Sequence, residues 1–260
     1  AANNGTIFNN GTIGATGNTS VVGGNITNTA PGVVGNANGS TNVTGGNVTN
    51  NGTIAGNPVN ITGTSLTNSG NITGGNVSVN VSGNVSNTGN ITGNSSVDVT
   101  GGNVSNSGNI TGTGSTAVTA SNNGTIFNNG TIGATGNTSV VGGNITNNGT
   151  GAIGNAAGNT SVAANGSVVN NGTIAGSPVN VTATGGGITN NGNITGGSPV
   201  TVNATGNVTN NGNITGNNSV AVTGGNVSNS GNITGTGSTA VTAANNGTIF
   251  NNGTIGATGN

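Results

Sequence analysis

GNVSNSGNITG, residues 102–112, is one copy of a short pattern that recurs along the whole chain. Related copies read NVTNNGTI at residues 47–54 and NVTNNGNI at residues 207–214. Each copy places a β-branched residue at a fixed distance from the next one, with Asn and Gly between them. Repetition of this kind is typical of repeat architectures, in which stacked units share one continuous core.

The Ile or Val that follows each N-x-G-x step serves as a register mark for the repeats. Successive marks are 18 to 22 residues apart and define thirteen units of about 20 residues. The marks are Ile13, Val34, Ile54, Ile72, Ile91, Ile110, Ile132, Ile153, Ile174, Ile194, Ile214, Ile233 and Ile255.

Two further columns keep the same register. Six residues before the mark the chain carries an apolar residue, such as Val104 before Ile110, and four residues before the mark it carries Asn. The units that end at Val34 and Ile153 keep both columns only if each contains a two-residue insertion. The Asn column is Asn9, Asn28, Asn50, Asn68, Asn87, Asn106, Asn128, Asn147, Asn170, Asn190, Asn210, Asn229 and Asn251.

A third segment of each unit alternates between apolar and other residues, as in Val59-Asn60-Ile61 and Val97-Asp98-Val99. Alternation places every second side chain on the same face of a strand. Three short strands per unit cannot bury an apolar face alone, but stacked units can. The sequence therefore predicts an all-β protein: a single-stranded parallel β-helix, or β-solenoid, of about 20 residues per turn and about 13 turns. At about 4.8 Å per turn the rod is roughly 60 Å long.

The composition excludes several functional classes. The chain has no Lys, Arg, His or Cys and one acidic residue, Asp98. Without basic residues, nucleic-acid binding through phosphates has no electrostatic basis. No apolar run reaches the ~18 residues of a membrane helix. Paired carboxylates and an activated nucleophile are both absent, so the sequence predicts no enzyme and implies no metal site or cofactor.

A longer period is also present. The segment NNGTIF begins at residues 3, 122 and 245, and residues 1–18 are identical to residues 243–260. Super-repeats therefore begin near residues 1, 120 and 243, and each of the two intervals between them holds six units. We expect residues 1–260 to form one continuous solenoid segment cut from a longer array.

Two sets of side chains are candidates for special roles. A side-chain amide both donates and accepts, so the Asn column is expected to form an interior ladder of hydrogen bonds from turn to turn. Phe8, Phe127 and Phe250 are the only aromatic residues, and each lies between an inward apolar residue and a ladder Asn. Alternation directs these rings outward, where they are candidates for lateral contact between rods.

Units such as NVTNNGTI and NVSNSGNITG resemble the repeats of filamentous-haemagglutinin-type exoproteins and of autotransporter passenger domains. The resemblance covers nearly the whole chain. It implies a right-handed parallel β-helix in a large adhesin at the cell surface. The chain departs from the family in its near-total lack of charge, which favours a self-assembling filament over a conventional receptor-binding adhesin.

Together these features predict an extracellular structural fibre, surface filament or adhesin stalk. Its expected partners are further copies of itself, joined end to end and laterally, and glycans or other cell surfaces. An ice-binding solenoid is the alternative, since ladders of Thr can order water. The residue before the mark is Thr in five units, including Thr12 and Thr131, but Asn in six others, which makes a less uniform face.

Overall fold

The computed structural model describes residues 5–259, which form an all-β, parallel β-solenoid of about 13 turns. Residues 1–4 and 260, which the predicted segment includes, lie outside the described part. A full turn contains three strand positions. Outward side chains of the first and second positions form what we call the first face and the second face of the rod.

Strands at the first position contain the inward apolar residue and the ladder Asn. They are β1 (Ile7–Asn9), β4 (Asn25–Asn28), β10 (Val85–Asn87), β12 (Val104–Asn106), β15 (Ile126–Asn128), β18 (Ile145–Asn147), β21 (Val168–Asn170), β24 (Ile188–Asn190), β27 (Val208–Asn210), β30 (Val227–Asn229) and β33 (Ile249–Asn251).

Strands at the second position contain the register mark. They are β2 (Thr12–Ile13), β5 (Val33–Gly35), β7 (Thr53–Gly56), β13 (Asn109–Gly112), β16 (Thr131–Ala134), β19 (Ala152–Gly154), β22 (Thr173–Gly176), β25 (Asn193–Gly196), β28 (Asn213–Gly216), β31 (Asn232–Gly235) and β34 (Thr254–Ala257).

Strands at the third position show the alternating pattern. They are β3 (Thr19–Val22), β14 (Ser115–Ala120), β17 (Asn137–Gly142), β20 (Thr160–Ala164), β23 (Val179–Ala183), β26 (Val200–Ala204), β29 (Ser219–Gly224) and β32 (Ser238–Ala243).

Four longer strands run through a corner and occupy two positions. β6 (Thr41–Asn50) and β8 (Val59–Asn68) join a third position to the first position of the next turn, whereas β9 (Asn71–Val81) and β11 (Asn90–Gly101) join a second position to a third. Turn 1 comprises β1, β2 and β3, turn 7 comprises β15, β16 and β17, and turn 13 ends with β34.

Every described strand pairs in parallel with the corresponding strand of a neighbouring turn, in the predicted register. Ile110, for example, pairs with Ile91 below and Ile132 above, and Asn106 pairs with Asn87 and Asn128. The two predicted insertions are also confirmed. Ile26 pairs with Ile7 and with Val48. Ile145 likewise pairs with Ile126 and with Val168. The predicted handedness stays a prediction.

The core is a narrow column of β-branched side chains. Ile110, Ile132 and Ile153 are completely buried, as are the third-position residues Val118 and Val140. Burial of an Ile or Val contributes about 1.5–3 kcal/mol, so stacking supplies stabilisation that no single turn has. Close approach of the turns requires Gly at the corner after the ladder Asn: a Cβ on Gly108 would lie 2.0 Å from the carbonyl oxygen of Gly89.

Candidate functional surfaces

The predicted Asn ladder is present and runs along the interior of the rod. Each amide Nδ2 donates to the Oδ1 of the ladder Asn in the next turn, from Asn9 through to Asn251, at 2.7–2.9 Å. In each of these bonds Nδ2 of the more N-terminal Asn is the donor, so all the N–H groups of the ladder point toward the C-terminal end of the rod. The Asn column predicted from sequence spacing alone therefore forms a continuous chain of hydrogen bonds.

The same nitrogen also satisfies backbone carbonyls at the corner. Nδ2 of Asn106 lies 3.1 Å from the oxygen of Gly108 in its own turn and 3.0 Å from the oxygen of Thr131 in the next. Asn106 is 0% exposed. Buried polar groups are stable only when they are hydrogen-bonded, and this arrangement meets the requirement.

The two ends of the ladder differ from each other in exposure. Asn9 is buried, but Asn251 is exposed, because no turn among residues 5–259 lies over it. The predicted interior ladder is therefore buried from Asn9 to Asn229 and exposed at Asn251. Nδ2 of Asn251 keeps the bond to its own turn, to the oxygen of Gly253 at 3.2 Å, but no described ladder Asn follows it as an acceptor.

Buried threonines in the third strand position were missed by the sequence reasoning. Thr116 shares the inward face with Val118, and its hydroxyl donates to the oxygen of Gly133 in the next turn at 2.7 Å. The hydroxyl also accepts from the amide nitrogen of Gly112 at 2.7 Å. Thr41 and Thr160 make the corresponding bonds to carbonyl groups of the turn above. Their spacing of two residues from an inward Val was the available signal.

Two threonines in the same column differ from the rest. The hydroxyls of Thr19 and Thr138 are buried and have no hydrogen-bond partner among the described residues. The other threonines donate to the carbonyl oxygen of the residue after the register mark in the next turn. Above Thr19 and Thr138 that residue is Gly35 and Gly154, and both have positive φ, at 82° and 77°. We attribute the missing bond to this left-handed conformation, which reorients the peptide groups and which Gly adopts readily.

Rows of exposed Asn also form ladders, with the opposite donor direction. On the second face, Nδ2 of Asn109 donates to Oδ1 of Asn90 at 2.8 Å, and Asn90 donates to Asn71 at 3.0 Å. Asn232 and Asn213 repeat this pattern further along the rod. In these rows each amide donates toward the N-terminal end, the reverse of the interior ladder.

The phenylalanines occupy one outward column of the first face. Phe8, Phe127 and Phe250 are 68%, 41% and 64% exposed. Each pairs with Ser or Thr of a neighbouring turn, as Phe127 does with Ser105 and Thr146. Since they lie six turns apart in one column, their axial separation is about 29 Å. Their predicted role in lateral contact stays a prediction.

Asp98, the one acidic residue, is exposed between the buried Val97 and Val99, in line with the alternation. Within residues 5–259 no three His, Cys, Asp or Glu side chains come together as a metal-binding group. The same residues contain no helix that is long and apolar enough to cross a membrane.

The fold and its interior ladder define the chain as a β-helical repeat protein of the parallel β-solenoid class. A scan against protein-family models and searches of curated proteins and of solved structures give no significant match to this chain.

Proposed function

We propose that the chain is a segment of an extracellular structural fibre, surface filament or adhesin stalk of the filamentous-haemagglutinin type. The observation that carries the proposal is the continuity of the interior ladder, in which each turn is bonded to the next through buried amides. A rod whose every turn repeats the same core and the same corner bonds is suited to spanning distance. The resemblance of its repeats to secreted adhesins supports the location outside the cell.

Axial self-association follows from the single donor direction of the ladder. Any stack of such turns presents ladder oxygens at its N-terminal face and ladder Nδ2 groups at its C-terminal face. These faces are complementary, so turns are added head to tail, either within a longer chain or between chains. Unpaired strand edges favour the same addition.

Electron microscopy of the purified chain, together with antibody labelling of intact source cells, tests the proposal. We expect straight rods and label on unpermeabilised cells. Label that needs permeabilised cells would contradict the extracellular location. Irregular globules in the micrographs would contradict a fibre role.

The alternative, ice binding, would use the second face, where Asn71, Asn90 and Asn109 run beside Thr73, Thr92 and Thr111 in three successive turns. An ice-recrystallisation assay separates it from a fibre. Inhibition at micromolar concentration supports ice binding, and unimpeded crystal growth supports the fibre.

A further inference from the structure

The second face of the rod changes character every three turns. In turns 4–6 and 10–12 the outward residues on either side of the mark are Asn and Thr, as in Asn109 and Thr111 of β13. In turns 1–3 and 7–9 they are small or short, as in Thr131 and Gly133 of β16. Wherever Thr is replaced by Gly or Ala, the surface is lower.

These low regions form two corresponding cavities that we call the small-residue depressions. The first depression has a volume of about 500 Å³ and is lined by Thr12, Gly14, Ala15, Thr16, Gly35, Asn36 and Asn38. The second has a volume of about 240 Å³ and is lined by Thr111, Gly112, Thr131, Gly133, Ala134, Thr135, Gly154 and Asn155. Both depressions are open to solvent on one side and have floors of Gly and Ala, so an aromatic ring from outside can lie against them.

The exposed rings and the depressions are encoded together. Residues 3–28 and 122–147 are identical in sequence, and each copy contains one Phe and the Gly that opens a depression. Phe127 and Gly133 lie in the same turn, in β15 and β16. Ring and depression therefore recur with the same axial period of six turns, about 29 Å.

We propose that the phenylalanines of one rod dock into the small-residue depressions of a second copy, with the two rods parallel and in register. The inference rests on the proposed fibre function and specifies how rods join sideways. Rods at the same axial level bring Phe8 opposite the first depression and Phe127 opposite the second. A partner without this period could fill one depression but not both.

Two properties of the surface support a second copy as the occupant. The chain carries a formal net charge of −1, so like-charge repulsion between neighbouring rods is minimal. Phe is a large apolar group that gains from burial at small entropic cost. Since the first face of one rod meets the second face of the next, the contact is heterologous and leaves both outer rods with a free face. It therefore builds rows or rings of rods rather than isolated pairs.

The first test compares the wild-type protein with two variants in electron microscopy and sedimentation. We expect wild-type rods to associate side by side, a triple variant with Phe8→Ser, Phe127→Ser and Phe250→Ser to remain as single rods, and Val169→Ser to associate like the wild type. Val169 is the matched control because it occupies the same outward column. Wild-type rods that stay single, or a triple variant that associates normally, would overturn the inference and leave the fibre function intact.

A second test uses the absence of native cysteine. Protein with Phe127→Cys is mixed with protein carrying Thr135→Cys, at the rim of the depression, and oxidised mildly. We expect the mixed disulfide to exceed, by at least tenfold, that formed with Thr215→Cys, which lies on the second face four turns away. Equal yields with the two partners would show that the rods do not pack in register.

Discussion

Asn106 and Asn109 are three residues apart and carry the same amide, yet they occupy opposite environments. Asn106 is fully buried; its amide accepts from Asn87 and donates to Asn128 and to two carbonyl groups. Asn109 is exposed, and its amide donates to Asn90 alone. The buried amide has no water to replace a lost partner, and the exposed one does. The contribution of an Asn side chain to the stability of this rod is therefore set by its position in the turn and not by its residue type.

The sharpest way to break the comparison is to place a carboxylate in the interior ladder. Asn106→Asp should lower the free energy of unfolding by about 3–5 kcal/mol at pH 7, because the buried charge has no compensating partner. Burial raises the pKa of this carboxyl in the folded state. Stability should therefore be highest in acid and fall as pH rises above the unfolded value of about 3.9.

Denaturant titrations between pH 3 and pH 8 measure this effect. The matched control is Asn109→Asp, whose charge is hydrated and should leave both the stability and its pH dependence nearly unchanged. A buried variant that is equally stable at pH 3 and pH 8 would contradict an interior ladder.

Removing the amide without adding charge gives a smaller effect. Asn106→Leu leaves the Oδ1 of Asn128 without its donor and the Nδ2 of Asn87 without its side-chain acceptor. We expect a loss of about 1–3 kcal/mol. Asn109→Leu should change the free energy of unfolding by no more than about 0.5 kcal/mol. Chemical denaturation of both variants checks the difference, and equal losses would refute the assignment of the two environments.

The buried threonines extend the comparison to hydroxyls with and without partners. Thr116→Val leaves Gly112 and Gly133 with unpaired backbone groups and should destabilise the fold by about 1 kcal/mol. Thr138→Val removes a hydroxyl that has no partner and should be neutral or stabilising by up to about 1 kcal/mol. Thermal unfolding of the two variants measures the opposite signs. Destabilisation at Thr138 equal to that at Thr116 would show that its hydroxyl is bonded in solution.

The register of the stacked turns could be predicted from the sequence because every turn repeats the same residue types at the same spacing. Ile110, Val104 and Asn106 recur at fixed offsets, and any other register would separate the Asn residues that now bond to one another. The buried role of Thr116 was harder to foresee, because Thr suits both faces of a strand and the same position holds Val in other turns, such as Val97. Its acceptor, the oxygen of Gly133, comes within reach only when the turns stack.

The repeat pattern does not predict the local backbone conformation at the corners. Gly35 and Gly154 have positive φ, while Gly133, at the matching position in its own turn, does not share this conformation. The depressions depend on such corners as well as on small side chains. Their lining comes from outward residues of two or more turns that lie at the same height on the rod.

The fixed donor direction of the interior ladder also gives this nearly uncharged molecule an electrical direction. Each amide group carries a dipole of about 3.5 D, and aligned dipoles add. Backbone dipoles in a sheet contribute little net moment, and the exposed amides of opposite direction are surrounded by water. The buried amides from Asn9 to Asn229 lie in a low-dielectric interior, so their sum persists along the axis. In a bundle of parallel rods the dipole moments of the individual rods would add. Such a fibre would orient in an electric field although its net charge is close to zero.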